Sequence, residues 1–354
     1  MSKPNLLIIL AQSLEQPRIV KRIIEKSFQF ENIQVYGFKR TIHAVNNYGV
    51  LEDYPNVDVE LVGTFSDNNY LSRVRGYARL LSIIHRNHGF KKKHLYVFGL
   101  DLRIISFLLF NSKIEYEISD IMWLYKPKLK RVFLKNIDAF LVSRSNRVIF
   151  TSKGFYDIYY KRYKNENQIV IKENKFKTYG KVQPIENIKS DTLRIAYIGA
   201  FRYTDIIENL IKVVGQKKDA VLNFYGDGSF YIVQIIKKNA MLHQNIHYHG
   251  AFKNPDDLQK IYSENNINFV VYDNRLDNEK VAMPNKFYES GYFNIPIVCA
   301  DNTYVGKRVL ELDMGWTTGI TTKELSTFFN NLSITEIIKC HKNITKLNKE
   351  LFQS

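Results

Sequence analysis

The six residues Pro284-Asn285-Lys286-Phe287-Tyr288-Glu289 put an amide, an ammonium and a carboxylate within little more than one helical turn. They lie between two apolar runs, Phe269-Val270-Val271-Tyr272-Asp273 and Ile295-Pro296-Ile297-Val298-Cys299-Ala300. Proline is favoured at helix starts, where its missing N–H is not needed. The spacing therefore predicts a helix whose N-terminus opens at the carboxyl edge of a parallel sheet. Free backbone N–H groups and the positive end of the helix dipole attract an anion there, and Lys286 adds a full charge in the first turn. Glu289, about one turn further on, is placed to accept from a ribose diol while the helix start holds a pyrophosphate. That division of labour suits a nucleotide sugar.

Two glycine turns point to the same edge. Gly199-Ala200-Phe201-Arg202 closes one predicted strand and Tyr225-Gly226-Asp227-Gly228 closes the next, so Gly199, Arg202, Tyr225 and Gly226 all fall where a ligand would lie. Arg202 supplies a bidentate donor for a diphosphate. In the first half, Asp120, with Glu117, ends the predicted strand Ile114 to Ile118. A carboxylate there is placed either to take the proton of an attacking hydroxyl or to cap a helix start. Asp101 has a similar place after Leu95 to Gly99, and the early turn Gln12-Ser13-Leu14-Glu15 carries no glycine. His85 and His88, and His247 and His249, lack companions at metal-ligand spacing. No metal site is expected.

These residues must be held by a particular scaffold. Leu6 to Leu10, Ile33 to Phe38, Val57 to Val62, Leu95 to Gly99, Ile114 to Ile118 and Arg147 to Thr151 have the short apolar pattern of strands. Arg18 to Phe28, Tyr70 to His88, Leu102 to Leu109 and Pro127 to Val142 have that of helices. After an aperiodic stretch around 175–191 the alternation resumes. Strands are expected at Arg194 to Ile198, Ala220 to Tyr225 and Ile246 to His249, with helices at Asp205 to Val214, Phe230 to Met241 and Asp256 to Tyr262. The alternation predicts two α/β, Rossmann-like domains, each with a parallel sheet.

The net charge of +16 is uneven. Residues 1–180 carry 30 Lys and Arg against 16 Asp and Glu, a net +14, whereas residues 181–354 carry 21 against 19, a net +2. A cationic half implies an anionic partner, a membrane surface or a nucleic acid. The strongest clusters are Lys91-Lys92-Lys93 and the stretch from Lys126 to Lys135, where basic residues interleave with Leu129, Val132, Phe133 and Leu134 after Trp123, Leu124 and Tyr125. The pattern fits either an interfacial helix or an ordinary helix with a solvated basic face. The apolar run Leu6 to Ala11 is too short to span a bilayer, and Cys299 and Cys340 have no metal spacing.

Taken in order, the Gly199 and Tyr225 turns, the His249-Gly250 turn, and Pro284 to Glu289 followed by Ile295-Pro296-Ile297-Val298 resemble the donor domain of group-1 (EX7E-type) GT-B glycosyltransferases. That family builds bacterial capsules and surface polysaccharides. The resemblance covers residues 190–320, and the first half fits by pattern only. It implies two Rossmann-like domains facing across a cleft (GT-B), namely an acceptor and membrane-facing domain (1–180), a linker (181–192) and a donor domain (193–325). A C-terminal helical segment (326–354) would pack back on the first domain. It further implies a UDP-sugar or GDP-sugar as co-substrate, with Glu289 on the ribose, Arg202 and Lys286 on the diphosphate, Gly199, Tyr225, Gly226 and Asn285 around them, and no metal. The acceptor would be a lipid-linked glycan, the setting the cytoplasmic face of a bacterial membrane, and the partners other transferases. One departure stands out: the family's earlier glutamate falls on Val281, with Glu279 and Lys280 out of register.

Three other readings compete. A nucleotide-sugar epimerase of the same fold has no need of a cationic first domain. A noncatalytic partner of an active transferase fits Val281 but not the retained Arg202, Lys286 and Glu289. A nucleic-acid binder accounts for the charge but gives Pro284 to Glu289 no purpose.

Overall fold

The computed structural model describes residues 4–14, 16–40, 48–65, 70–109, 111–163, 166–177, 182–188 and 192–354. Glu15, Gly180 and parts of the expected linker (181 and 189–191) lie outside these. The chain divides into two compact units, Met1–Glu173 and Asn174–Ser354.

Among the described residues the first unit holds a seven-stranded parallel sheet of β1 (Leu6–Ala11), β2 (Asn32–Arg40), β3 (Val57–Phe65), β4 (Lys93–Phe98), β5 (Asn111–Ile118), β6 (Arg147–Phe150) and β7 (Ile169–Ile171). The spatial order is β3-β2-β1-β4-β5-β6-β7. Connecting helices are α1 (Pro17–Ser27), α2 (Tyr70–His88), α3 (Leu100–Ser106), α4 (Lys128–Ser143) and the short α5 (Lys153–Phe155), which runs on as a π turn over Tyr156–Tyr160. Leu7 to Ala11 are all buried, as a central strand covered on both faces requires. The strand order reverses between β1 and β4, so a crevice is expected at their carboxyl ends.

Helix α1 docks through two kinds of residue. Ile19, Val20, Ile23 and Ile24 pack into the core beside β1 and β2. Arg18, Arg22 and Lys26, each about one turn apart, form a ladder on two carboxylates of β5. Arg22 Nε lies 2.9 Å from Glu117 Oε2, Lys26 Nζ 2.8 Å from Glu115 Oε2, and Arg18 Nη1 3.6 Å from Glu117 Oε1. His94 Nε2 adds a contact of 3.1 Å to Glu115, and the Tyr96 hydroxyl donates to Glu117. Glu115 and Glu117 share a face because strand side chains alternate. Burial alone would raise the Glu115 carboxyl, but His94 and Lys26 hold it at about 2. Replacing such a buried pair by apolar residues of similar volume is often neutral, whereas removing one partner leaves a buried charge uncompensated.

The second unit contains β8 (Leu193–Phe201), β9 (Ala220–Gly228), β10 (Ile246–Gly250), β11 (Ile267–Val270), β12 (Ile297–Ala300) and β13 (Gly315–Thr318), all parallel, in the order β10-β9-β8-β11-β12-β13. Its helices are α6 (Thr204–Gly215), α7 (Phe230–Leu242), α8 (Leu258–Glu264), α9 (Asn285–Phe293), α10 (Tyr304–Glu311), α11 (Thr322–Asn331) and α12 (Ile334–Thr345). Here the order reverses between β8 and β11.

Three boundaries differ from the sequence expectation. Residues from Asn174 onward group with the second unit, so the division precedes residue 180. The described part of the expected linker is packed rather than loose: Val182 and Ile185 are buried, Tyr292 donates to Val182 O at 2.8 Å, and Asn294 donates to Ile185 O at 3.0 Å. The C-terminal segment finds its core inside the second unit. Phe329 and Ile337 join one apolar cluster, and Cys340, Ile344 and Phe352 another. Phe352 lies so close to α9 that a Cβ on Gly291 would come within 2.2 Å of its ring.

Candidate functional site

Near the carboxyl ends of β8 and β9, the two glycines expected in turns lie instead inside the strands, whose pairing continues through Ala200–Asp227 to Phe201–Gly228. Gly199 pairs in register with Gly226, and both have positive φ, +117° and +143°. A Cβ on Gly226 would lie 1.9 Å from the Gly199 carbonyl oxygen, so no larger residue fits without moving the strand. One on Gly199 would lie 3.6 Å from Lys286 Cε, which brings the lysine of α9 over the same edge.

Helix α9 begins as the sequence suggests, shifted by one position. Pro284 is the cap (φ −72°, ψ 145°) and Asn285, exposed, is the first helical residue. Proline has no side-chain acceptor to cap the helix, so although Phe287 N donates to Pro284 O at 3.1 Å, the N–H groups of Asn285 and Lys286 and the positive end of the dipole are left to face outward. Lys286 Nζ lies 2.5 Å from Glu289 Oε2 and 5.3 Å from the centre of the Phe252 ring. The same carboxylate oxygen accepts from the Tyr262 hydroxyl at 3.1 Å. Asn268 donates both to the Tyr262 oxygen at 3.2 Å and to Ser290 Oγ at 2.7 Å. Glu289 is only 3% exposed. Burial and the adjacent carboxylate push the Tyr262 hydroxyl far above its ordinary value, so it acts as a fixed donor.

The structure thus brings Gly199, Gly226, Asn285, Lys286 and Glu289 together, and places Arg202, exposed, directly after the end of β8. Tyr225 is different. Its ring is buried and stacked on His249 (centroids 4.3 Å apart, 7° between planes), and its hydroxyl donates to Glu264 at 3.2 Å. The side chain belongs to the wall beneath the edge rather than to the edge, because strand alternation turns it inward one residue before Gly226.

The loop from Val271 to Pro284 is also ordered by polar contacts. Arg275 Nε lies 2.7 Å from Asp273 Oδ1 and its Nη2 2.5 Å from Asp205 Oδ2, which ties the loop to the first turn of α6. Residues 276–282 wind into a helical turn, with Lys280 N donating to Leu276 O and Ala282 N to Asn278 O. Val281 and Glu279 are both buried as a result. The Tyr203 hydroxyl, next to Arg202, is raised by burial, by Tyr272 and by the Glu279 charge.

Phe252, Tyr262, Asn268 and Arg275 were not singled out from the sequence. Asn268 left a trace: an amide inside the apolar run Ile267 to Val270 must have partners when that strand is buried.

In the first unit a cavity of about 150 Å³ opens at the carboxyl ends of β1, β4 and β5, lined among others by Gln12, Arg18, Arg73, Tyr77, Asp101 and Asp120. Gln12 donates to Asp101 at 3.0 Å, and the Tyr77 hydroxyl, raised by burial and by Asp101, lies 3.4 Å from the same carboxylate. Asp120 is exposed at this cavity and Asp101 half-buried. Glu117, expected beside Asp120 as a catalytic carboxylate, is fully buried and engaged by Arg22, Arg18 and Tyr96. It faces α1, since it lies on the strand face opposite to that of the neighbouring Tyr116 and Ile118. Among the described residues no group of three or more His, Cys, Asp or Glu is placed to hold a metal ion.

No family model matches the sequence, and no curated protein matches it. Solved structures do. HepE from Anabaena, in complex with UDP and glucose, aligns over 98% of this chain and 95% of its own at a TM-score of 0.70 and 13% identity. Sucrose-phosphate synthase from Thermosynechococcus elongatus aligns over 99% and 95% at 0.73 and 11%. A putative UDP-N-acetylglucosamine 2-epimerase from Listeria monocytogenes aligns over 99% and 92% at 0.58 and 12%. At these identities the likeness is one of fold: two parallel-sheet α/β units of the GT-B type.

Proposed function

We propose that this chain is a glycosyltransferase of the group-1 type. It takes a sugar from a nucleoside-diphosphate sugar and passes it to a hydroxyl of a lipid-linked glycan in bacterial surface polysaccharide synthesis, at the cytoplasmic face of the membrane and alongside partner transferases. The observation that carries this reading is the convergence of the Gly199–Gly226 backbone contact, the outward-facing N-terminus of α9 and Lys286 on one sheet edge. A diphosphate fits there because the glycines admit it close to the backbone while the helix dipole, Lys286 and Arg202 offset its charge. The same groups stabilise the charge that develops on the departing nucleoside diphosphate, where preorganised donors are worth most. Asn285 and Glu289 are the polar groups nearest to hand for the nucleoside, and Asp120 is the base that takes the acceptor's proton. HepE, crystallised with UDP and glucose, supports a nucleotide sugar, UDP- or GDP-linked, as the co-substrate.

The epimerase reading has one observation in its favour, the fold shared with the Listeria protein. Acceptor dependence separates the two, because an epimerase alters its nucleotide sugar without a second substrate.

The test is thermal shift and calorimetry of the purified protein with UDP, GDP, CMP, UDP-sugars and GDP-sugars, repeated on Glu289→Ala. Selective stabilisation by one nucleoside diphosphate, lost in the variant, is the expected result. An absence of binding to all of them would turn the reading toward a noncatalytic partner.

A further inference from the structure

Helix α4 has two opposite faces. Asp138 points inward, 2% exposed, and accepts from Tyr116 (3.0 Å), Trp123 (2.9 Å) and Tyr160. At about 100° per residue, Leu129, Val132, Phe133 and Phe140 fall together on the other side. All four are exposed, Leu129 by 88% and Phe133 by 66%. Phe107 and Leu108, also exposed, extend the patch just past the end of α3, and Phe107 meets Phe140 with ring centroids 6.0 Å apart.

Charge is arranged around this stripe in one sign. Lys128 and Lys130 flank Leu129, each turned about 100° from it, and both are exposed. Arg131 and Lys135 fold over the buried Trp123 ring at 5.8 and 5.6 Å. Between residues 121 and 156 the sole carboxylate is Asp138, and it is buried. The exposed surface of this segment is therefore apolar at its centre, cationic at its flanks and free of acidic side chains. Other parts of the basic sequence have structural duties instead. Lys93 is buried and donates to the carbonyls of Gly89 and Lys91, and Trp123 and Leu124 are in the interior.

We propose that the face formed by α4 and the residues just past α3 docks on an anionic lipid bilayer, with Leu129, Val132, Phe133, Phe107 and Phe140 entering the headgroup boundary. Lys128 and Lys130 are placed to keep their ammonium groups among lipid phosphates while their stems run along the apolar surface. Charge complementarity chooses this occupant. A second copy of the chain would bring the same cations against themselves, and a nucleic acid backbone would leave Leu129 and Val132 in water. Among the described residues no helix is long and apolar enough to cross a membrane. This surface is separate from the α9 edge and stands whether or not the donor reading holds.

The test is co-sedimentation with vesicles of phosphatidylcholine alone and of phosphatidylcholine with an equal amount of phosphatidylglycerol, over a range of salt. The parent protein is expected to bind the mixed vesicles and not the neutral ones, more weakly as salt rises. Leu129→Ser with Phe133→Ser, and separately Lys128→Glu with Lys130→Glu, should each weaken binding about ten-fold or more. All these residues are exposed, so melting temperatures should match the parent. No binding to mixed vesicles, equal binding to neutral ones, or unchanged binding by the Leu129/Phe133 variant would overturn the proposal. So would a dimer in solution that the same variant converts to a monomer. UDP binding measured on the same variants should be unchanged, which keeps failure here distinct from failure at the donor site.

Discussion

Lys286 and Glu289, one turn apart on α9, form an ion pair of 2.5 Å directly above the paired glycines of β8 and β9. Under the proposed function the cation that would meet a diphosphate is the one that neutralises a buried carboxylate, so binding of the anion and release of Glu289 would be linked. Lys286→Ala should lower turnover at saturating donor by about 10²-fold, the scale for removing one preorganised donor to developing charge. Glu289→Gln should weaken nucleotide binding while leaving Lys286 free. Steady-state kinetics beside calorimetry separates the two effects, and unchanged values in both variants would remove the site from α9.

Gly226→Ala is expected to be far costlier than Gly199→Ala. Both add a Cβ at positive φ, a strain of about 1–3 kcal/mol, but only the first drives it to 1.9 Å from a backbone oxygen. Urea denaturation of the two variants should show that order, and equal losses would contradict the close approach.

The two carboxylates at the end of β5 should part company when mutated. Asp120→Asn is expected to reduce turnover by about 10²-fold or more with little change in melting temperature. Glu117→Gln takes from Arg22 its fully buried partner and leaves it only Glu25, 3.1 Å from Nη1, so it should cost stability, up to about 3–5 kcal/mol. A Glu117 variant that is stable but inactive would return that residue to the chemistry.

Acid should reveal the ladder under α1. The Glu115 carboxyl, ordinarily at 4.5, is held at about 2 in the fold. Its ionised form therefore stabilises the protein above pH 4.5, and that contribution is lost as pH falls through about 2. Burial pushes the partner Lys26 down even beside Glu115, so the acid dependence belongs to the carboxylate. Denaturation between these pH values should show a loss of about 3 kcal/mol that Glu115→Gln lacks.

Phe352→Ala should loosen α9 from a distance. The ring fills the space over Gly291 and packs 5.9 Å from Phe287, so its removal is expected to cost about 3–5 kcal/mol and to weaken nucleotide binding in parallel. Stability lost with unchanged nucleotide affinity would show that the helix keeps its place without this support.

Much of the scaffold was legible because apolar periodicity is strong in it. Tyr70–His88 is a helix with the bounds expected, and the strand and helix around Pro284 differ from expectation by a few residues. Ile169–Ile171 and Gly315–Thr318 escaped because strands of three and four residues carry too short a pattern. The two glycines read as turn residues but lie within strands, whereas the placement of Lys286 and Glu289 one turn apart on a helix announced itself through spacing. The inward turn of Tyr225 and the burial of Glu117 did not, since a strand covered on both faces gives no sign of which side holds water. The linker likewise read as an aperiodic stretch between domains, yet Val182 and Ile185 are buried.

The ladder of Arg18, Arg22 and Lys26 on Glu115 and Glu117 also limits how this sequence can drift. Exchanging one rung alone would bury two like charges or strand one, whereas replacing both ends together with apolar residues of similar volume is tolerable. Position 22 should therefore vary only in concert with position 117, and 26 with 115, although roughly 90 residues of chain separate the members of each pair. Homologues that keep one acid should keep its base, and those that lose one should have lost both.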